Sequence, residues 1–435
     1  MHEAKHTSAS RITGAVDQKI TSGWPTIHPE PKAQPEGSLS FTGLTGYTLR
    51  MTLKHLLAAM LLLQVIAIPA QKPASKPAAP PPPLLSHELN ADHSVTFRFK
   101  DAAATKVELN LEGVAKPIPM TRGKGGIWSF HTQPLQPEIY YYYFVDGGEP
   151  RIDPENHWVA SNLVNPASSV VEVPGSGPQL WNETDVPHGT VHTHTFTSKI
   201  ARGLPADQEE VVIYTPPGYD AHAAKPYPVL YLLHGWSGAA EGWVKDQRAN
   251  FILDNLLAEG KIRPMVVVMP LGYGEMSFLE NGSDQWNDPA AVDHNTQLFM
   301  SLLTGEIMPM AEGAYNISRD REGRAITGLS MGGLEALDTG LHRTDKFAWI
   351  GGFSSAVHNL DYEHQLAGLD PKTADLKLLW IACGTEDVLI DANRKMIAFL
   401  RAKGMPVIQV ETPGLHDSLV WRDNLIHFAP LLFQK

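Results

Sequence analysis

Hydrophobic positions in the second half of the chain follow the pattern of alternating strands and helices. Short continuous apolar runs, typical of strands buried on both faces, occur at 210–214, 229–233, 265–269, 325–327, 347–351, 376–382 and 407–410. Apolar residues recur at helical spacing between them, in 250–259, 296–311, 331–341, 391–402 and 418–432. Continuous apolar strands separated by amphipathic helices predict the α/β fold class, with a mostly parallel sheet covered on both faces.

An earlier part of the chain alternates with period two instead. Apolar and polar residues alternate over 93–99 and 107–111, and a run of four tyrosines follows at 140–143. About seven short strands within 85–174 predict an all-β immunoglobulin-like sandwich. Because successive side chains of a strand point to opposite sides, we expect two of the tyrosines in the core. The other two could bind glycan or pack on the neighbouring domain.

The N-terminal part shows the pattern of a targeting segment. Residues 51–70 begin with Met51 and a lysine and continue with an apolar run of about 13 residues, which predicts a signal peptide. Because such a peptide begins at the start methionine, we interpret 1–50 as an upstream segment outside the mature protein. A short membrane anchor is the alternative. The Pro/Ala-rich stretch 71–84 predicts a linker. We therefore expect a secreted or periplasmic bacterial protein, without stable membrane insertion after cleavage.

The amino-acid composition limits which partners and cofactors the protein can be expected to bind. The chain has 435 residues, of which 43% are hydrophobic, and this supports sizeable cores in two or three domains. Its formal net charge is −12 and it has no long basic run, so we expect no nucleic acid partner. The single cysteine, Cys383, excludes an internal disulfide. His192 and His194 would share one strand face, but no third ligand accompanies them, so we expect neither metal nor cofactor.

The strongest chemical signal is the G-x-S-x-G pattern at 328–332, with Ser330 at its centre. A strand pattern ends just before it and a helix pattern begins just after it. In that setting the serine occupies a sharp turn, and glycines two residues away on each side avoid a clash. The turn raises the hydroxyl above the sheet and points the helix N-terminus at a developing oxyanion. Ser330 is therefore the predicted nucleophile, although the pattern also arises by chance in ordinary turns.

An acid and a histidine follow this serine in chain order. The strand at 376–382 leads into Glu386 and Asp387, of which we favour Asp387 as the acid that orients the imidazole. Glu386 is the alternative, and Asp387 could also cap the next helix. His416 lies in a Gly/Pro loop after the last strand. Because the carboxyl ends of parallel strands meet at one edge of a sheet, we expect these residues to lie together.

Backbone donors and aromatic side chains are predicted around this triad. An oxyanion hole needs two N–H donors, and we expect that of Met331 together with that of Trp236 or Gly235. The latter two lie in a glycine-rich loop after the strand at 229–233. Aromatic residues near the catalytic loops are candidates for binding the substrate, although each could equally belong to the core: Trp243, Phe278, Trp286 and Trp421.

Five stretches, in order, resemble the esterase D-type α/β-hydrolases. They are YTPPGYD (214–220), PVLYLLHGWSG (228–238), RAITGLSMGG (324–333), WIACGTEDVLI (380–390) and GLHD (414–417). The resemblance covers 201–435 and implies an α/β-hydrolase fold with Ser330, Asp387 and His416 as triad. Within this group the chain is similar to feruloyl and acetylxylan esterases of carbohydrate esterase family one and to trilactone siderophore esterases. Residues 85–174 resemble the early-set modules beside glycan-acting enzymes, and 175–200 would connect the two domains.

The long segment 272–294 matches no motif of this family and leaves the substrate open. It follows a predicted strand, so we expect it to roof the pocket, and it has five Asp/Glu but no Lys/Arg. An anionic ferric siderophore should require basic groups there. The segment therefore favours feruloyl-type or acetyl esters of plant polysaccharide, or a small aromatic ester, over an enterochelin-type trilactone. A non-catalytic glycan-binding protein is the remaining alternative, and a complete triad argues against it.

Overall fold

The computed structural model describes residues 84–434 except 161, 165 and 166. The predictions of an upstream segment, a signal peptide and all but the last residue of the linker therefore lie outside the described residues. No helix of the described part is long and apolar enough to cross a membrane.

The first part of the described chain is rich in β-structure. Its strands are β1 (His87–Leu89), β2 (Val95–Lys100), β3 (Val107–Leu111), β4 (Ile118–Pro119), β5 (Thr121–Arg122), β6 (Ile127–His131), β7 (Glu138–Asp146), β8 (Glu149–Arg151) and β9 (Ser169–Val173). They form two antiparallel sheets, one in the order β1-β2-β6-β5 and the other in the order β4-β3-β7-β8, with β9 paired to β7. Inward-facing residues of both sheets share one core, including Phe97 of β2 and Phe144 of β7.

The tyrosine run lies in β7 and divides between two faces. Tyr140 and Tyr142 are buried in the core of the β-rich region, whereas Tyr141 and Tyr143 are only partly buried on the opposite face. This confirms the prediction that alternate tyrosines face opposite sides. The outward pair faces the second part of the chain, where the Tyr141 hydroxyl donates to the carbonyl of Asp246.

The second part of the chain is built on a sheet of eight strands within the described residues. They are β10 (Thr190–Thr197), β11 (Gln208–Thr215), β12 (Val229–Leu233), β13 (Val266–Pro270), β14 (Arg324–Gly328), β15 (Trp349–Phe353), β16 (Leu378–Gly384) and β17 (Val407–Thr412). Their order is β10-β11-β13-β12-β14-β15-β16-β17. The strands from β13 to β17 pair in parallel, but β10 and β11 pair antiparallel at one edge, so the sheet is mixed. Strand β10 lies within 175–200, the stretch assigned to a connector from its sequence.

Helices cover both faces of this sheet. They are α1 (Gly242–Lys245), α2 (Ala249–Ala258), α3 (Ser277–Glu280), α4 (Pro289–Leu302), α5 (Met308–Ala314), α6 (Ser330–His342), α7 (Tyr362–Gln365), α8 (Pro371–Ala374), α9 (Ile390–Ala402) and α10 (Ser418–Phe428). A π-helical turn at Leu303–Ile307 joins α4 to α5. Side chains of one strand alternate between two cores: Tyr231 and Leu233 face one, and Leu230 and Leu232 face the other. This two-sided burial explains why the strands read as continuous apolar runs.

Candidate active site

Ser330 occupies a strained turn between β14 and α6. Its φ is +53°, in the left-handed region that residues other than glycine rarely adopt. A Cβ atom added at Gly332 would lie 2.4 Å from the carbonyl oxygen of His234, and one at Gly328 would lie 2.5 Å from that of Gly332. Both positions therefore require glycine, because backbone approaches them too closely for any side chain.

Ser330, His416 and Asp387 form a continuous chain of hydrogen bonds. The Nε2 atom of His416 lies 2.9 Å from the Ser330 Oγ atom. Its Nδ1 atom lies 2.9 and 3.1 Å from the two carboxylate oxygens of Asp387. Glu386, the alternative acid, is exposed to solvent. The structure therefore brings together the three residues that the sequence pattern placed after β14, β16 and β17.

The ionisation state of Asp387 determines where the protons lie along these hydrogen bonds. Burial alone would raise the pKa of the Asp387 carboxyl, but the hydrogen bond and charge of His416 outweigh it and lower that pKa below its ordinary value. The backbone N–H of Leu389 also donates to the carboxylate, at 2.8 Å, just before α9 begins. An ionised Asp387 accepts the Nδ1–H of His416. The unprotonated Nε2 atom then faces the serine hydroxyl, as a general base requires.

Two backbone segments surround the serine where an oxyanion would form. Met331 follows it in the first turn of α6, where N–H groups have no acceptor within the helix. Gly235 and Trp236 follow β12 and line the same cavity as Ser330. A Cβ atom added at Gly235 would lie 3.2 Å from the Cβ atom of Ser330. The three predicted oxyanion-hole residues therefore all lie in the segments next to the nucleophile.

The buried side chain of His234 supports this oxyanion loop. Its ring lies between the carbonyl oxygens of Gly235 and Leu271, with Nδ1 at 2.8 Å from the former. Burial lowers the pKa of His234, against the opposing effect of its two carbonyl partners. The histidine thus ties the carboxyl end of β12 to that of β13 and acts as a structural residue.

An open cavity of about 640 Å³ lies above the triad, within the size range of small-molecule sites. One wall comes from the α/β part, including Ser330, His416 and Trp421. The other wall comes from the β-rich part, including Asn110, Glu112, Tyr141 and Tyr143. No lysine or arginine is among the described lining residues.

The predicted aromatic residues take three different places. Trp286 and Trp421 line the cavity, and the Trp421 ring lies edge-on to His416 with centroids 5.0 Å apart. Trp243 touches the cavity but is 1% exposed, and its indole N–H donates to the carbonyl of Leu233, so it is a core residue. Phe278 is buried against Trp286, with ring centroids 5.0 Å apart, and it is not among the described lining residues.

The segment 272–294 does not present its acidic side chains to the cavity, and this part of the prediction is wrong. Asp288 accepts from the N–H of Ala290 at the start of α4, and Glu275 lies 3.0 Å from His294. Of the described lining residues, the segment contributes only Trp286. Asp288 thus caps a helix and Glu275 forms a local ion pair. The net charge of the segment therefore did not reveal which way its side chains face.

The wall supplied by the β-rich part was missed by the sequence analysis. Asn110 and Glu112 lie at the end of β3, and no sequence motif marks either of them. The tyrosine run was the available signal, since its outward-facing members, Tyr141 and Tyr143, line the cavity. His358 and Leu389 were also missed, because they follow β15 and β16 in loops without a recognisable pattern.

The family model called Esterase, described as "Putative esterase", matches residues 206–426, a little over half of the chain and the whole of the triad. This chain belongs to the esterase family. It is 29% identical over 356 residues to the endo-1,4-beta-xylanase/feruloyl esterase of Xylanibacter ruminicola, covering 80% of this chain and 46% of that relative. The esterase chain thus spans about half the length of that protein. It is also 25% identical to the acetyl esterase of Caldicellulosiruptor saccharolyticus, over 44% of this chain and 78% of that enzyme.

Solved structures confirm the predicted α/β-hydrolase-like fold of the esterase. The ferulic acid esterase of the anaerobic fungus Anaeromyces mucronatus superposes with a TM-score of 0.51 and 26% identity, over 59% of this chain and 96% of that one. The enterochelin esterase of Shigella flexneri gives a TM-score of 0.60 with 19% identity, over 80% of this chain and 95% of that one. The second likeness extends over more of this chain, but at that identity it concerns the fold alone.

Proposed function

We propose that this esterase is a serine carboxylesterase with Ser330 as nucleophile, His416 as general base and acid, and Asp387 as the orienting acid. The observation that carries the proposal is the unbroken hydrogen-bond chain from the Ser330 hydroxyl through His416 to the Asp387 carboxylate, at the floor of an open cavity. A serine alone would be too weakly nucleophilic, and the adjacent imidazole supplies the base.

The reaction proceeds in two balanced halves. The Ser330 oxygen attacks the ester carbonyl while its proton moves to the Nε2 atom of His416. The resulting oxyanion accepts hydrogen bonds from the N–H of Met331 and from that of Trp236 or Gly235. The C–O bond to the alcohol breaks, and the imidazolium protonates the leaving oxygen. Water then attacks the acyl-enzyme with His416 again as base, which releases the carboxylic acid and restores the serine.

We further propose that the acyl group is feruloyl-type or acetyl and that the alcohol belongs to a plant polysaccharide. The names of two relatives, a xylanase/feruloyl esterase and a ferulic acid esterase, support an aromatic acyl group, and the acetyl esterase supports the smaller one. Trp236, Trp286 and Leu389 offer an apolar wall for a flat ring. Tyr143 and Asn110 on the opposite wall suit the faces and hydroxyls of a neutral sugar.

A trilactone siderophore is the second candidate substrate. The likeness to the enterochelin esterase supports it at the level of the fold, because that likeness covers 80% of the chain. The charge of the cavity argues against it. The described lining residues include Glu112, Asp246 and Asp417 but no lysine or arginine, and an anionic iron complex would meet repulsion there. A purely glycan-binding role would not explain the hydrogen-bonded arrangement of Ser330, His416 and Asp387.

One comparison of substrates tests the proposal. Methyl ferulate or a feruloylated oligosaccharide should have a kcat/KM at least about tenfold above that of a ferric triscatecholate lactone, or roughly 1.4 kcal/mol in transition-state binding. Both rates are measured on one enzyme preparation, with Ser330→Ala as the blank. A preference for the lactone would overturn the polysaccharide assignment and leave the serine mechanism standing.

We also propose that 85–174 is an immunoglobulin-like early-set sandwich and that the protein is exported after removal of 51–70. The two packed antiparallel sheets support the first, and the n-region and apolar run support the second. N-terminal sequencing of exported protein should begin near Gln71. An exported protein that retains residues upstream of Met51 would contradict the signal peptide.

A further inference from the structure

A carboxylate of the β-rich part contacts the chain segment that carries the catalytic histidine. Glu112, just after β3, accepts from the backbone N–H of Ser418 at 2.7 Å and from that of Tyr141 at 2.9 Å. Ser418 is the first residue of α10 and follows His416 by two positions. Asp417, between them, caps the same helix by accepting from the Val420 N–H. One side chain thus joins β7 of the β-rich part to the loop that holds the imidazole.

Further polar contacts join the β-rich part to the region around this loop. The Tyr141 hydroxyl donates to the carbonyl of Asp246 at 2.7 Å, and the Gln247 amide donates to the Ser418 hydroxyl at 2.9 Å. The fully buried guanidinium of Arg422, one turn further along α10, pairs with Glu138 of β7 at 2.5 Å. The Glu112 carboxylate therefore spans two parts of the molecule that are also joined by the Tyr141–Asp246 hydrogen bond and the Arg422–Glu138 ion pair.

The charges around Glu112 make its two hydrogen bonds sensitive to protonation. The groups that face it are Asp417, Ser418 and Arg422 of the α10 segment and Tyr141 of β7. Arg422 also pairs with Glu138 of β7. Burial, together with the charge of Asp417, raises the pKa of Glu112 to about 7, against the opposing effect of Arg422. The ionised form accepts both N–H groups. Protonation converts one oxygen into a donor and weakens the bond to one of them.

We infer that Glu112 is a positioning residue for the esterase reaction: by holding the Ser418 N–H it keeps the His416 imidazole at hydrogen-bond distance from Ser330. The inference rests on the proposed triad. The reason is geometric, because a 1 Å misplacement of a catalytic group costs on the order of 10²-fold in rate. The β-rich part is then a component of the catalytic site and more than a substrate-binding appendage.

The test compares Glu112, which follows β3, with Glu108, which lies within that strand. Glu112→Gln keeps one acceptor oxygen but places an amide N–H₂ against the other N–H group. Glu108→Gln is the matched control, because Glu108 lies in β3 and its carboxylate pairs with Lys106 within the β-rich part. Both variants, wild type and Ser330→Ala are made in the full chain. Hydrolysis of an uncharged acetate ester is followed in a pH-stat. For wild type and the two glutamate variants kcat is expressed per site that reacts with a fluorophosphonate, and for Ser330→Ala, which has no such site, per chain.

The expected result separates positioning from a merely structural role. At pH 8, Glu112→Gln should lower kcat per reactive site by about ten- to a hundredfold with KM within about threefold, and Glu108→Gln should stay within about twofold. Wild-type kcat should show a loss of activity as pH falls through about 7, where Glu112 takes up a proton. Glu112→Gln has no carboxylate at this position, so that loss should be absent from its profile.

Several outcomes would overturn the inference. A kcat within about twofold of wild type, or a loss confined to KM, contradicts it. Where Glu112→Gln does not fold, the same criterion is applied to Glu112→Asp, which keeps the charge but is one methylene shorter. If Glu112→Gln is unimpaired while Ser330→Ala is inactive, only this inference fails. If Ser330→Ala retains wild-type activity, the proposed function itself fails.

Discussion

At the scale of single residues, the candidate site depends on the strained backbone of Ser330 and on two hydrogen bonds, from Ser330 to His416 and from His416 to Asp387. Ser330 has a φ of +53°, and the tight packing of Gly328 and Gly332 maintains this conformation. The strain is compensated by the surrounding β-strand and helix. His416 and Asp387 then need only to reach the exposed hydroxyl from the neighbouring strand ends.

Replacement of the acid tests the assignment at this scale. Asp387→Asn should lower kcat by about 10⁴-fold, because an amide favours the wrong imidazole tautomer while leaving the geometry intact. Steady-state hydrolysis of p-nitrophenyl acetate measures the loss. Glu386→Gln is the control, and it should behave as wild type because Glu386 is exposed. Reversed effects of the two variants would mean that the acid is Glu386.

The triad residues were predictable from sequence, and the reason lies in local chemistry. Close backbone contacts require glycine on each side of Ser330, so the glycine spacing forms a motif that can be recognised in the sequence. Tyr143 and Glu112, by contrast, reach the cavity only because two distant parts of the chain pack together. No local rule specifies that packing. The tyrosine run indicated that some of its members face outward, but no sequence pattern marks Glu112.

At the scale of elements, periodicity predicted the interior strands well and the edge of the sheet poorly. Strand β12 matches its prediction at both ends, because continuous apolar residues are needed on both faces. Strand β10 is an edge strand with alternating exposed and half-buried Thr and His side chains, so it lacks an apolar run. In the segment 272–294, Asp288 caps α4 and Glu275 pairs with His294, so these two carboxylates have local structural roles.

Strand β11 carries a buried acid that makes stability depend on pH. Glu209 is fully buried, and desolvation raises its pKa to about 8. The folded state therefore retains on Glu209 a proton that the unfolded chain releases near pH 4.5. The contribution of protonated Glu209 to the free energy of unfolding is fully present below about pH 4.5 and is lost as pH rises through 8.

Glu209→Gln should consequently lose this dependence. The free energy of unfolding of the variant, relative to wild type, should be higher at pH 9 than at pH 5. Urea denaturation at the two pH values measures the difference. The neighbouring Glu210→Gln, whose side chain is only partly buried, is the control and should show less change between the two pH values. A difference for Glu209→Gln that is independent of pH would contradict the prediction.

At the scale of the whole molecule, the β-rich part and the α/β part share a buried ionic contact. Arg422 is fully buried and pairs with Glu138 across the two parts, and its guanidinium lies 5.7 Å from the Trp181 ring centroid. Desolvation makes such a pair a weak source of net stability, but removing one partner leaves the other buried and uncompensated.

Arg422→Met should therefore destabilise the protein by about 3–5 kcal/mol, as measured by denaturant unfolding. Arg394→Met is the matched control. Arg394 makes two hydrogen bonds to Glu411 at 2.9 and 2.7 Å, but its side chain is 47% exposed. Its loss should cost at most about 1 kcal/mol. Equal effects of the two substitutions would show that the contact between the two parts contributes no more than a surface ion pair.

The central claim is that Ser330 is the nucleophile of a serine esterase, and covalent labelling tests it most directly. A fluorophosphonate should react once per chain, abolish ester hydrolysis in proportion to labelling, and appear on the peptide that contains Ser330 in tandem mass spectrometry. Ser330→Ala should take up no label and retain at most about a thousandth of wild-type kcat. A label on another residue, or full activity in the labelled enzyme, would contradict the account.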